Sequence, residues 1–179
     1  MITGPSGVGK GTLIEQVRRR IPDLELSVSA TTRNPRPGES HGREYFFLDQ
    51  SEFENQVQAG NFLEHAEYSG NRYGTLRSEV EKRLEAGKSV VLEIELQGAR
   101  QVREAAPEAE LIFIAPPNPE ALRKRLEGRG TDDPGSIAAR LATAEIELAA
   151  RDEFAHVIVN DELERAVDEL EGVLRNALG

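Results

Sequence analysis

Gly4-Pro5-Ser6-Gly7-Val8-Gly9-Lys10-Gly11-Thr12 reads as a glycine-rich turn that runs directly into a helix. Backbone N–H groups in such a loop converge on phosphate oxygens, and the lysine that follows reaches the outer phosphates of a nucleotide. Glycine is called for because the chain must curl through positive φ and pass close to what it binds. The strict pattern is G-x-x-x-x-G-K-[ST]. Here position 11 is Gly, and the hydroxyl arrives one residue later at Thr12. Leu13, Ile14, Val17 and Ile21 have the spacing of one helix face, so the helix after the loop is present. Before the loop stand only Met1, Ile2 and Thr3, against about five to six residues in an ordinary strand. Either this feeding strand is short, or the start lies downstream of the natural one.

Beyond the helix, strand-like runs occur at 24–30, 89–96, 110–115 and 156–159. The first alternates apolar and polar residues, and the third is continuously apolar, as in a strand buried on both faces. Helical spacing separates them, at Leu76, Val80 and Leu84; Leu122 and Leu126; Ile137, Leu141, Ala144 and Leu148; and Leu163, Val167, Leu170, Leu174 and Leu178. Alternating strands and helices predict a parallel sheet covered by helices. The stretch 32–75 departs from the alternation, with turn-rich segments around Tyr45-Phe46-Phe47-Leu48 and a short helix at Phe53 and Val57. It reads as a small mixed insertion. A second break, 127–135, is rich in Gly, Pro and Asp and joins two helices as a mobile surface loop.

With 179 residues, the chain is one domain or one domain with insertions. A net charge of −10 argues against a nucleic-acid or membrane-surface binder. The absence of Cys excludes disulfides, thiolate nucleophiles and zinc–cysteine sites. No secretory signal is visible, and the longest purely apolar run is far too short to span a membrane, so the expected location is cytoplasmic. Arginine placement says more than net charge. Arg33, Arg36 and Arg43 cluster in the insertion, while Arg123, Lys124, Arg125 and Arg129 cluster beside the mobile loop. Guanidinium forks bind phosphate bidentately. Two separated clusters in an acidic chain with a phosphate loop suggest two phosphorylated ligands.

The stretch from Ser29 to Glu39 (Ser-Ala-Thr-Thr-Arg-Asn-Pro-Arg-Pro-Gly-Glu) resembles the GMP-binding signature of guanylate kinases. The likeness continues through Gly42-Arg43-Glu44-Tyr45-Phe46-Phe47, Phe62-Leu63-Glu64-His65-Ala66 and Gly70-Asn71-Arg72-Tyr73-Gly74-Thr75. It resumes at Leu92-Glu93-Ile94-Glu95-Leu96-Gln97-Gly98-Ala99, Arg125-Leu126-Glu127-Gly128-Arg129-Gly130-Thr131 and Val157-Ile158-Val159-Asn160-Asp161. It thus spans nearly the whole chain. The resemblance implies an α/β, three-layer P-loop kinase fold: a parallel core sheet formed by 1–31 and 76–179, a small mixed α/β GMP-binding insertion at 32–75, and a lid at about 127–136. It implies transfer of phosphate from ATP to GMP, with Mg²⁺.

Residue by residue, the resemblance implies that Gly4, Pro5, Ser6, Gly7, Val8, Gly9, Lys10, Gly11 and Thr12 hold ATP, with Asn160 near its adenine. Arg33, Arg36, Tyr45 and Tyr73 match positions that take the GMP phosphate, and they offer it only donors and cations. Ser29, Glu64 and Thr75 match guanine contacts, with Gly74 between the last pair and Glu95 also on the GMP side. Lys10, Arg125, Arg129 and Arg140 match the groups that neutralise charge on the transferred phosphoryl. Family members commonly carry Asp where this chain has Glu95, which keeps the charge but moves it by one methylene. With no hydroxyl at Gly11, Mg²⁺ would rely on ATP oxygens, waters, Thr12 and Glu95, directly or through water.

Two other classes share parts of this pattern. A non-catalytic guanylate-kinase-like module that binds protein or phosphopeptide degrades the phosphate loop, whereas Lys10 and the loop glycines are intact here. A related kinase acting on another acceptor, such as a ribosyl phosphate, would give Ser29 and Glu64 nothing to read. The partners implied are GMP and ATP, with no nucleic acid and no membrane, in a monomer or a homodimer.

Overall fold

The structure is a computed structural model that describes residues 1–68, 70–128 and 135–179, together with the backbone of Pro134. Arg129, with Gly130 and Thr131 beside it, lies outside the described residues. In chain order the elements are β1 (Ile2–Thr3), α1 (Lys10–Arg20), β2 (Leu24–Leu26), β3 (Ala30–Thr31), β4 (Phe46–Phe47), α2 (Gln50–Gln58), β5 (Phe62–Tyr68), β6 (Asn71–Leu76) and α3 (Arg77–Glu85). They continue with β7 (Ser89–Val91), α4 (Leu96–Ala105), β8 (Ile112–Ala115), α5 (Pro119–Glu127), α6 (Pro134–Ala149), β9 (His156–Val159) and α7 (Leu163–Leu178). Packing divides the chain into a unit of Met1–Pro22, Glu93–Leu96 and Glu110–Gly179, and a unit of Asp23–Leu92 and Gln97–Ala109.

In the first unit, β1, β8 and β9 form a parallel sheet in that order. Every residue of β8 is buried, which explains its unbroken Ile-Phe-Ile-Ala composition. Beside β1, Glu93 bridges Ile2 in parallel, and Ile94 N donates to Ile2 O at 3.2 Å. All these segments run the same way, so their carboxyl ends gather the loop after β1, residues 93–95 and Asn160. That edge is where open α/β sheets bind ligands. On α1, Leu13, Ile14 and Val17 are buried, and on α7 so are Ala166, Val167, Leu170 and Leu174. The two helices pack together. Arg20, at the end of α1, reaches Glu164, Asp168 and Glu171 of α7 at 2.9, 2.6 and 3.1 Å.

In the second unit, β2 and β7 pair in parallel, and β4-β3-β6-β5 form a mixed sheet. Asp49 and Glu52 close a capping box at the start of α2, which fixes where that helix begins. Ala30, Phe53 and Phe62 form a buried cluster with Phe46, Leu48, Val57 and Leu76 around it. Phe53 and Phe62 stack at 4.6 Å, and each fully buried aromatic of this kind is worth about 1.5–3 kcal/mol over leaving it exposed.

Several sequence-based expectations need correction. The run 24–30 is two strands in two sheets rather than one. Ser27 N bonds Val91 O, whereas Ser29 O accepts from Phe46 N, so the chain changes partners between them. The run 89–96 stops pairing as β7 at Val91, and Leu96 already starts α4, a helix the spacing did not announce. Of the residues that mark the spacing of α3, Val80 is buried and Leu84 is exposed. The parallel sheet, the helix opened by the loop and the short helix at Phe53 stand as expected.

Candidate active site

The loop after β1 is shaped by its backbone. Gly4, Gly7 and Gly9 all have positive φ, at 141°, 83° and 101°. A Cβ at Gly4 would lie 2.2 Å from the Ile114 carbonyl oxygen, and one at Gly9 would lie 2.6 Å from Asn160 Nδ2. Val8 N closes the turn on Pro5 O at 3.1 Å. Gly9 then caps α1 with no side-chain bond, and the first turn carries no acid. Gly9 therefore offers the leading N–H groups of α1 no capping side chain, which suits an anion-binding helix start. Behind the loop, Asn160 Nδ2 and Arg125 Nη1 both donate to Val8 O, at 2.8 and 3.0 Å, and Arg125 Nη2 donates to Asn160 O at 2.7 Å. Arg125 and Asn160 are thus brought onto the loop's main chain.

Lys10 is 7 % exposed, and its Nζ donates to Gly4 O at 2.5 Å and to Pro5 O at 3.3 Å. Three carboxylates share its surroundings. Burial raises the pKa of Glu93, with Lys10 pulling against the shift and Glu95 adding to it. Glu147, on α6 and 6 % exposed, is raised well above the ordinary carboxylate range. Burial is the main cause, the charge of Glu95 and a hydrogen bond with it come next, and Lys10 opposes. Two carboxyl groups can share such a bond only if one holds a proton. Glu95 Oε2 is buried without a hydrogen-bond partner among the described residues. A Cβ at Gly11 would stand 3.8 and 3.9 Å from the Glu93 oxygens, ordinary contact distances, so a side chain there has room. Thr12 is exposed on the first turn of α1, and Arg140 is half-buried on α6.

The second unit gathers its own constellation. Arg33 Nη2 meets both oxygens of Glu39, at 2.9 and 3.0 Å, and its Nη1 donates to Asn34 O at 2.7 Å. The guanidinium lies 5.3 Å from the Tyr45 ring centre, and the Tyr45 and Tyr73 rings are 6.1 Å apart. Arg33, Tyr45 and Tyr73 therefore come together. Arg36 joins them through its backbone, which donates to Glu39 Oε2 at 2.7 Å, while its side chain is exposed. Ser29 is half-buried just before β3.

Glu64 and Thr75 are brought together by a fault in the ladder. β5 and β6 start in register at Phe62 with Leu76, then shift so that Glu64 faces Thr75. Without the bulge, Glu64 would fall opposite Gly74; one extra residue re-aims it. Thr75 Oγ1 donates to Glu64 Oε1 at 2.7 Å, with Glu64 5 % and Thr75 0 % exposed. Gly74 is required beside them, since a Cβ there would meet Glu64 O and the Phe62 ring, both at 2.8 Å. Residue types alone did not single out Glu39, Gly98 or Glu147. Of the three, Glu147 left a signal, because it falls three residues after Ala144 on the inward stripe of α6, an odd place for an acid.

The parallel sheet, the loop that opens α1 and the lysine bonded into it define a P-loop kinase. A shikimate kinase from Bacteroides thetaiotaomicron shares that fold, with a TM-score of 0.50 at 15 % identity over 97 % of this chain and 96 % of its own. The family model described as guanylate kinase matches residues 1–177, and the chain belongs to that family. A guanylate kinase from Rubrobacter xylanophilus is 54 % identical over 98 % of this chain and 92 % of its own length. One from Synechococcus sp. strain CC9311 is 56 % identical over 96 % and 90 %. The crystal structure of guanylate kinase from Anaplasma phagocytophilum superposes with a TM-score of 0.75 at 35 % identity, covering 98 % of this chain and 82 % of that one.

Proposed function

We infer that the chain is an ATP:GMP phosphotransferase, forming ADP and GDP. The observation that carries this reading is the buried Glu64 carboxylate, held by Thr75, in a chain whose phosphate loop keeps Lys10 and its glycines. Guanine presents N1–H and N2–H₂ side by side, and one ionised carboxylate accepts both. Adenine lacks that pair and would leave the buried carboxylate without the two donors that guanine brings, a mismatch of the kind that gives about 10⁴-fold discrimination or more. A protein-binding module would have no use for an intact loop lysine, and a sugar-phosphate kinase none for Glu64.

In this reading, residues 4–12 cradle the ATP phosphates, and Lys10 exchanges the Gly4 and Pro5 carbonyls for phosphate oxygens. Asn160 and Arg125 serve ATP through the loop they hold. Arg129 and Arg140 supply further positive charge to the transferred group. The insertion 32–75 is the acceptor module of a core formed by 1–31 and 76–179, with 127–136 as its lid. Arg33, Arg36, Tyr45 and Tyr73 take the acceptor phosphate, and Ser29, Glu64, Gly74, Thr75 and Glu95 serve the base. Catalysis is positioning and electrostatics, with no covalent intermediate.

The residues present also fit Mg²⁺. The described residues contain no cluster of three ligating side chains, but Mg²⁺ is usually held by one or two carboxylates plus substrate phosphates and waters. The orphaned Glu95 Oε2 is a donor of that kind. Glu95 and Thr12 would hold the ion, directly or through water. When bound, Mg²⁺ neutralises charge on the β- and γ-phosphates. Among the described residues no helix is long and apolar enough to cross a membrane, and we place the enzyme in the cytoplasm.

The test is ADP release measured with GMP, dGMP, AMP, CMP, UMP and no acceptor. Release with guanine nucleotides alone is the expected result. Equal turnover with AMP would overturn the reading.

A further inference from the structure

Gly98 occupies the first turn of α4, where nothing in its own backbone calls for glycine. Its φ lies outside the left-handed region, and alanine is the better helix former at such a position. What the missing side chain leaves is space, and one group fills it. A Cβ at Gly98 would stand 2.4 Å from Glu64 Oε2, 3.0 Å from Glu64 Cδ and 3.3 Å from Glu64 Cγ. The other oxygen of the same carboxylate takes the Thr75 hydroxyl at 2.7 Å.

We propose that Gly98 is a positioning residue for base discrimination: its missing side chain forms the slot that holds the Glu64 carboxylate against Thr75. The proposal rests on the reading of Glu64 as the guanine acceptor. An added methyl would press on the far end of a flexible side chain, which can swing aside at little cost to the fold. The carboxylate would then leave Thr75 and lose the position from which it accepts two adjacent N–H groups. Gly74 is the contrasting case, because a methyl there meets the Glu64 backbone oxygen and the Phe62 ring, which cannot yield without disturbing the hairpin.

The experiment compares Gly98→Ala, Glu64→Gln and the double variant with the unaltered protein. It reads thermal midpoint, KM for GMP and for ATP, and kcat/KM with GMP and with AMP. In Gly98→Ala, KM for GMP should rise about tenfold or more and the GMP-over-AMP preference should fall by a similar factor, with KM for ATP within about twofold and the midpoint unchanged or higher. In the Glu64→Gln background, the same Gly98→Ala change should add less than about twofold, because the group it displaces has lost its charge. An unaltered KM for GMP in Gly98→Ala, alongside a clear loss in Glu64→Gln, would overturn the Gly98 proposal alone. If Glu64→Gln affected GMP and AMP alike, the reading of Glu64 would fall and this proposal with it. A midpoint drop of more than about 5 °C in Gly98→Ala would also overturn it, since something stiffer than the end of Glu64 would then be bearing the methyl.

Discussion

Gly4 and Gly98 are both glycines with no room for a methyl group, yet they are pressed by different things. At Gly4 the obstacle, at 2.2 Å, is the main-chain oxygen of Ile114 in the middle strand of the parallel sheet. At Gly98 it is the tip of the Glu64 side chain at 2.4 Å. At Gly4 the phosphate loop sets backbone against backbone, and Arg125 and Asn160 support it by donating to a main-chain oxygen, although at Gly7 and Gly9 a methyl would meet the side chains of Leu126 and Asn160. The acceptor constellation is built from side chain against side chain: Thr75 on Glu64, Glu39 on Arg33, Tyr45 beside Tyr73. In the proposed reading, the loop would take any phosphate anion of the right reach, whereas the acceptor side would tell one base from another and be correspondingly easier to retune.

Three experiments press on that contrast. Lys10→Met removes the only charged side chain within the loop and should lower turnover by about 10²–10³-fold while GMP binding by calorimetry persists. Loss of both together would mean that the two constellations do not act separately. Gly4→Ala should lower unfolding free energy by about 3 kcal/mol or more, because positive φ and a main-chain clash act together. A denaturant midpoint as well preserved as that expected for Gly98→Ala would erase the distinction between the two glycines.

The smallest effect concerns Glu147. Its folded pKa is raised, so the folded state holds a proton that the unfolded state has released once pH exceeds the ordinary glutamate range. The stabilising contribution is fully present below that range and is lost as pH rises through the folded value. Measured in chelator, without Mg²⁺, the protein should lose about 1–2 kcal/mol relative to Glu147→Gln between acidic and mildly alkaline pH. The Met1 amine titrates in both proteins, its pKa lowered to about 6 by burial, and cancels in the comparison. Parallel pH profiles would show that Glu147 keeps no extra proton.

The parts legible in the sequence share one property: their determinants are local. The glycines and Lys10 announced the loop, the stripe of Leu13, Ile14 and Val17 announced α1, and the unbroken apolar run announced β8. The run 24–30 misled because alternation reports half-burial and not which strand is the partner, and the partner changes between Ser27 and Ser29. Helix α4 was hidden because no Gly or Pro marks the four residues between β7 and its start, and because its first turn contains Gly98, the weakest helix former but proline. Arg33, Tyr45, Glu64 and Thr75 are named through the resemblance to guanylate kinases and not from any local pattern. What brings Glu64 opposite Thr75 is a register shift, and what makes room for it is a residue 34 positions later, neither of which residue types encode.

The ion pair between Arg33 and Glu39 has a consequence for how a nucleotide would approach. The chain carries −10 overall, which repels polyanions at long range. With Glu39 on its guanidinium, Arg33 projects almost no field beyond the pair. A phosphate arriving at Arg33 itself would gain its attraction on contact, by trading places with a carboxylate of like charge, which leaves the exposed Arg36 side chain to act from further out. Engagement of Arg33 is therefore governed by fit at short range, and rising salt should slow capture less than it would with two open guanidinium groups.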